Sequence, residues 1–288
     1  MIPPLPDLER LADAVRLVAG REGFDPAPVE KDFYLTRVIW GLAEALGEAL
    51  VLKGGTCLSK VDYGFRRMSE DADFVLPWSG GTRHRAMNAA QTNRVARTLV
   101  DLAPALGLTL ESFDGEEHDR RSHVLWTLHY PARFGPGAIV VEAAMRPVLR
   151  PARYVQLRQL LDGRVGRLHD GAYGWAMDPD EVRAEKIRAA FTRRVIRDFY
   201  DLSLFVEHDA DLVSPDFVAL VDAKLAEADA LPLHRQRLAF GLTQRERDEL
   251  RAAIPGQLVP VLRRTEPAFD LDAVIDHYDR IWTPIRTD

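Results

Sequence analysis

Hydrophobic and polar positions follow two different periods along this chain, and the change of period marks its organisation. Leu8, Leu11, Val15 and Val18 recur on one helical face, with Asp7 in place to cap the first turn and Gly20 to close the helix. Pro28 suits the first residue of a second helix, whose apolar stripe runs to Leu46 before Gly47 stops it. Residues 50–53 are a short apolar run that predicts a strand ending at Lys53. Gly54-Gly55 then breaks the chain, and Thr56 is placed to cap a short helix through Val61. Residues 71–77 predict another strand, followed by a break at Gly80-Gly81. A polar helix over 83–103 follows, with Val95, Leu99 and Leu102 as its apolar stripe. Three runs then have strand character: 108–113, 123–130 and 138–144, the last two joined by the turn Gly135-Pro136-Gly137. From Pro179 onward the pattern is helical only, interrupted near Pro215, Pro232 and Pro255. The sum is an α+β chain. A small mixed sheet with helices occupies residues 1–150, and a mostly helical region occupies 151–288.

Composition narrows the picture. The 288 residues are 47% hydrophobic and 28% charged, enough apolar mass for a real core. The net charge of −6 excludes a molecule that is basic all round, so any nucleic-acid contact has to be a local patch. The single cysteine, Cys57, excludes an intramolecular disulfide and a zinc site built on several cysteines. The start of the chain, MIPPLPDLERL, has prolines and acids where a signal peptide has a basic region and an apolar run. No apolar run approaches the roughly 20 residues of a membrane span, and the expected location is the cytoplasm.

The candidate chemistry begins with two aspartates. In a strand, residues i and i+2 point to the same side, so Asp71 and Asp73 sit side by side while Ala72, Phe74 and Leu76 face the core. Two adjacent carboxylates repel, and a divalent cation removes the conflict. Mg²⁺ commonly takes one or two carboxylates together with substrate phosphates. Gly54, Gly55 and Thr56 link a strand to a helix, where glycines let the backbone approach a bulky anion and free N–H groups meet phosphate. Glu142 interrupts an otherwise apolar strand, AIVVEAAM, and is the candidate third carboxylate, as metal ligand or as base for an incoming hydroxyl. A lone Gly-Gly is ordinarily a turn and a lone Asp-x-Asp ordinarily a solvated edge. The specificity lies in their joint order along the chain.

That joint order, VLKGGTCLSK…RRMSEDADFVL, resembles the AbiEii/AbiGii toxin family of nucleotidyltransferases, within the DNA polymerase β-like nucleotidyltransferase superfamily. A second stretch, residues 177–205, carries Glu185-Lys186, Arg193-Arg194 and Arg197-Asp198-Phe199-Tyr200-Asp201-Leu202, and Glu30-Lys31-Asp32 fits as well. Met68 departs from the family, which has an aromatic residue there. The resemblance implies a small mixed sheet with a helical C-terminal domain completing the active cleft. It also implies a toxin of a bacterial toxin–antitoxin system, often linked to phage defence, with a cognate antitoxin encoded nearby. It implies transfer of a nucleotide from a nucleoside triphosphate with Mg²⁺ or Mn²⁺, onto the 3′ end of tRNA in some relatives, which blocks translation. A protein or small-molecule acceptor, or a non-catalytic nucleotide-binding regulator, are the alternatives.

On one helix over 182–202, Ala184, Ile187, Phe191, Val195 and Leu202 make a core stripe, and Lys186, Arg193, Arg197 and Asp201 cluster opposite it. Such a stripe alone reads as a solvated face; the resemblance places it over the active cleft and so implies Lys186 at the triphosphate, with Arg193, Arg194 and Arg197 on phosphate or RNA backbone. Asp198 or Asp201 orients a cation, Asp201 lying nearer the cationic side. An intrahelical Arg194–Asp198 pair is the structural alternative. Lys53, Arg66 and Arg67 flank the glycine turn as phosphate contacts or plain surface charges. Ser69 is either a site hydroxyl or a turn-former. Arg146, Arg150, Arg153 and Arg158 are the candidate RNA-backbone patch. The eight histidines show no metal-ligand spacing.

Overall fold

The computed structural model describes residues 3–78, 85–118, 122–161, 171–208, 211–228, 230, 232 and 240–287. The expected break at Gly80-Gly81 lies outside them. By internal contacts the chain divides into two units, Met1–Asp178 and Pro179–Asp288.

In the first unit, helix α1 (Leu8–Glu22) begins as the sequence indicates, with Asp7 Oδ1 accepting from the backbone N–H of Glu9 at 3.1 Å and of Arg10 at 3.0 Å. It passes through Gly20 and closes at Gly23 instead. Helix α2 (Pro26–Leu46) starts two residues before Pro28 and packs against α1. Strand β1 (Val51–Leu52) leads through Lys53 into the single turn α3 (Gly54–Cys57), which continues as a π-turn over Leu58–Asp62. Strand β2 (Ala72–Pro77) starts one residue after Asp71. Helix α4 (Arg85–Leu106) packs on α2. The expected strand over 108–113 shrinks to β3 (Thr109–Leu110), and β4 (Glu116–His118) follows. Strands β5 (His123–His129) and β6 (Ala138–Arg146) match their expected runs closely.

Two further strands, β7 (Arg153–Leu157) and β8 (Ala172–Ala176), complete the sheet and carry the first unit past residue 150. Their sequences hide them. RYVQL alternates weakly, and AYGWA has a glycine in its middle, where a strand loses packing. The reason for Gly174 is spatial. A side-chain carbon there would lie 3.4 Å from Ile39 on α2 and 3.3 Å from Leu157. The sheet order is β3-β5-β6-β2-β1-β8-β7, with β4 also on β5. Strands β2 and β6 run parallel, as do β1 and β8, and the other pairs are antiparallel, so the sheet is mixed. Its two sides differ in burial. Val124, Trp126, Ile139, Val141, Ala143, Phe74 and Ala176 are buried, while Asp73, His123, Leu125, Glu142 and Trp175 on the other side are half-exposed and Val51, Val75 and Ala144 there are buried.

The second unit holds α5 (Pro179–Arg193), α6 (Ile196–Glu207), α7 (Pro215–Glu227), α8 (Gln244–Ala253) and α9 (Leu271–Thr287). Pro215 opens α7 in its first turn, and Thr243 with Glu246 forms a capping box on α8. The single helix expected over 182–202 is two helices. Arg194 adopts φ 55°, in the left-handed region, and Val195 is extended. This break moves residues 196–202 off the helical wheel on which they were aligned with Lys186. Among the described residues no helix is long and apolar enough to cross a membrane.

Candidate active site

The glycine turn and the aspartate strand meet because β1 and β2 are antiparallel neighbours. Val51 pairs with Val75 and Leu52 with Phe74, and the backbone N–H of Lys53 donates to the carbonyl of Asp73 at 2.8 Å. The chain then turns at Gly54 with φ 70°, which brings its α-carbon against the Asp73 side chain. A side-chain carbon on Gly54 would overlap the Asp73 carboxylate, standing 3.1 Å from its Cβ and 3.2 Å from its Cγ. A carbon on Gly55 would stand 3.2 Å from the guanidinium carbon of Arg67 and 3.2 Å from the Ser69 hydroxyl oxygen. Arg67 is therefore neither a surface charge nor distant. It is buried under the turn and donates to the Met68 carbonyl at 3.1 Å.

Thr56 does not cap α3, which begins at Gly54 with Lys53 in the capping position and no side-chain cap. Its hydroxyl lies 2.7 Å from that of Ser69 and donates to the carbonyl of Asp71, so it ties the segment before β2 to the glycine turn. The hydroxyl of Ser69 joins that tie.

Glu142 stands directly across from Asp73 in the parallel register of β2 and β6, so both side chains project from one face of the sheet. Its Oε1 is 3.3 Å from Lys53 Nζ and 3.2 Å from His123 Nε2. Oε2 has no polar partner among the described residues. Burial pushes the Glu142 carboxyl up, but His123 and Lys53 outweigh it and hold it well below the usual carboxylate range. His123 was not singled out from the sequence. It reaches Glu142 only through the β5–β6 register, which places it opposite Ala144, and no spacing along the chain encodes that pairing.

Among the described residues no three His, Cys, Asp or Glu side chains converge on a metal position. With Glu142 Oε1 beside Lys53 and His123, Asp71 and Asp73 are the oxygen donors that could hold a hard divalent cation. Gly54 lets the turn close directly on the Asp73 carboxylate, where a side chain would collide with it.

The Glu30-Lys31-Asp32 segment supplies scaffolding. Glu30 accepts the backbone N–H groups of Arg133 at 2.9 Å and Phe134 at 3.1 Å. Asp32 pairs at 2.5 Å with Lys60, which is fully buried and also donates to Thr36 Oγ1 at 2.6 Å. This fixes the π-turn after α3 onto α2.

The expected basic patch is largely committed elsewhere. Arg150 lies 3.5 Å from Asp178, and Arg153 is 2.9 Å from Asp62 and donates to the Met177 carbonyl at 3.0 Å. Arg146 and Arg158 have no side-chain partner among the described residues.

In the helical unit, Lys186 is buried between two carboxylates, 3.0 Å from Asp198 and 2.7 Å from Asp201. Both aspartates serve it, although the sequence had left the choice between them open. Arg193 meets Asp198 through Nη2 at 2.9 Å from each oxygen. Arg194 instead donates to the Phe240 carbonyl at 2.9 Å and lies 3.6 Å from Glu246. Arg197 sits in the first turn of α6, half-buried, on a different helix from Lys186.

No curated protein matches this chain. Among solved structures it is similar to MenT4, a nucleotidyltransferase toxin from Mycobacterium tuberculosis H37Rv, at 20% identity and a TM-score of 0.61, covering 95% of this chain and 89% of that one. It is also similar to JHP933 from Helicobacter pylori, at 16% identity and a TM-score of 0.52, covering 92% of this chain and 94% of that one. These likenesses show a shared fold. The sequence model of the AbiEii family, described as the nucleotidyl transferase toxin of a type IV toxin–antitoxin system, matches residues 39–276. The chain belongs to that family and is a nucleotidyltransferase.

Proposed function

We propose that this protein transfers a nucleotide from a nucleoside triphosphate to the 3′-terminal hydroxyl of an RNA, of which tRNA is the leading candidate, and that loss of usable tRNA blocks translation. The observation that carries the reading is the junction at Asp73, against whose carboxylate Gly54 turns and whose partner on the neighbouring strand is Glu142.

Asp71 and Asp73 would hold a divalent cation, Mg²⁺ or Mn²⁺, whose charge offsets that of the triphosphate. Backbone N–H groups of the Gly54-Gly55 turn would meet the phosphates, and the two glycines let that turn close on Asp73 and Arg67. Glu142, kept ionised by its neighbours, helps to place or deprotonate the attacking hydroxyl: its Oε1 lies beside Lys53 and His123, and Oε2 is the atom that would meet the hydroxyl and its proton. The hydroxyl oxygen bonds to the α-phosphorus, the bond to the β-phosphate oxygen breaks, and pyrophosphate leaves. Lys186, held by Asp198 and Asp201, is assigned to triphosphate charge on the strength of the second family motif. Arg193 and Arg197 belong to the same assignment, and Ser69 keeps the turn in place. The family's place in type IV toxin–antitoxin systems implies a cognate antitoxin as partner.

The test is incubation of the full chain with α-labelled nucleoside triphosphates, Mg²⁺ and total RNA. Label is expected in ribonuclease-sensitive material, and Asp73→Ala is expected to remove it. Label in protein that survives ribonuclease would replace the RNA acceptor with a protein one. Equal labelling by the variant would refute the site.

A further inference from the structure

The outer end of the sheet carries an aromatic cluster that the reaction does not use. Tyr154 on the edge strand β7 stacks on Tyr173 of β8, with ring centroids 5.4 Å apart and planes 18° apart. It also lies 5.4 Å from Trp175 at 46°. Such rings ordinarily go inward, yet Tyr154 is 54% exposed, and Tyr173 and Trp175 are half-exposed. Strand register fixes the face they occupy. Tyr154 pairs with Trp175, and Leu52 pairs with Ala176, which sets Val51 beside Trp175. Val51 pairs with Val75, two residues along β2 from Asp73, and Asp73 pairs with Glu142. Paired residues share a face and i, i+2 residues share a face, so the aromatic cluster projects from the same side of the sheet as Asp73 and Glu142.

We infer that Tyr154, Tyr173 and Trp175 form a stacking platform for unpaired bases of the RNA acceptor, holding a single-stranded segment on the side of the sheet that carries the carboxylates. The inference rests on the reading that the acceptor is RNA. Three things select this occupant. Exposed rings on a sheet face are the surface on which single-stranded bases stack. The platform projects from the same side of the sheet as the carboxylates, with Val51 and Val75 buried between them. Arg158, exposed, one residue beyond the end of β7 and without a side-chain partner among the described residues, offers a guanidinium for backbone phosphate at the end of the strand that carries Tyr154. An acidic protein that binds RNA through few cations needs such a sequence-tolerant, non-ionic contribution.

The experiment measures binding of the full chain to a fluorescein-labelled 12-nucleotide single-stranded RNA by anisotropy, beside a duplex of the same sequence and the labelling assay above. The single strand is expected to bind more tightly than the duplex. Tyr154→Ala is expected to weaken single-strand binding by about 5- to 150-fold, the range that loss of one stacked base gives, with Tyr154→Phe retaining it. The highly exposed position of Tyr154 makes this variant gentle on folding, and an unchanged melting temperature verifies that. Unchanged single-strand affinity in Tyr154→Ala overturns the platform, whatever happens to labelling. If label enters protein rather than RNA, the acceptor reading fails by its own readout. If label enters RNA while Tyr154→Ala binds and labels as the wild type does, the platform alone fails.

Discussion

Gly54 has no room for a side chain. Its φ of 70° and its contact with the Asp73 carboxylate act together, since any L residue there is strained and its Cβ also displaces a candidate metal ligand. Gly54→Ala is expected to lower stability by about 1–2 kcal/mol from backbone strain, and to lower nucleotide transfer much further than that loss explains. Urea unfolding and labelling of the same preparation check both. The sequence made the glycine and the two aspartates readable as a motif, because their order along the chain is local. It could not make His123 or Arg67 readable. The first acts through cross-strand register, and the second is buried only because the chain returns beneath Gly55. A different residue reports on the core. The Tyr34 hydroxyl is buried without a hydrogen-bond partner among the described residues, and its ring stacks on Tyr130 at 4.3 Å. Burial first, with Glu30 adding to it, raises the Tyr34 pKa from 10.0 to about 12. A folded pKa above the unfolded one favours the protonated fold, so this contribution is complete below pH 10 and is lost as pH rises toward 12. Urea unfolding from pH 7 to 11 should show a decline of about 1.4 kcal/mol from Tyr34, and Tyr34→Phe should remove that share, leaving the loss that burial of Tyr130 causes in the same way.

At the scale of elements, the site depends on short pieces held by longer ones. Strand β1 has two residues and α3 has four, too little to persist alone. The buried Lys60–Asp32 pair anchors the π-turn after α3 to α2, and removing one partner leaves an uncompensated charge in the core. Asp32→Ala is therefore expected to cost about 3–5 kcal/mol, read by urea unfolding, although Asp32 is not assigned to the chemistry. Periodicity revealed α1, α2, α4, β5 and β6, whose apolar stripes are long enough to count. It missed β7 and β8, where Gly174 yields to the close approach of α2. It also fused α5 and α6, because the break at Arg194 lies in a left-handed residue that is not glycine and leaves no mark on the apolar pattern. The consequence is chemical. The cationic stripe drawn on one helix is, in the folded unit, a compact cluster in which Asp198 reaches back to Lys186 and Arg193.

For the whole molecule, a net charge of −6 and a basic run half committed to Asp62 and Asp178 leave little general attraction for nucleic acid. Selectivity for an RNA end then has to come from particular groups, which is where the exposed rings of β7 and β8 enter. The measurement that bears most directly on the central claim is sequencing of RNA 3′ ends after expression of the protein in bacteria. The account predicts added nucleotides on tRNA 3′ ends together with growth arrest, and neither effect with Asp73→Ala. Growth arrest with unaltered RNA ends, or identical added ends in the Asp73→Ala variant, would contradict it.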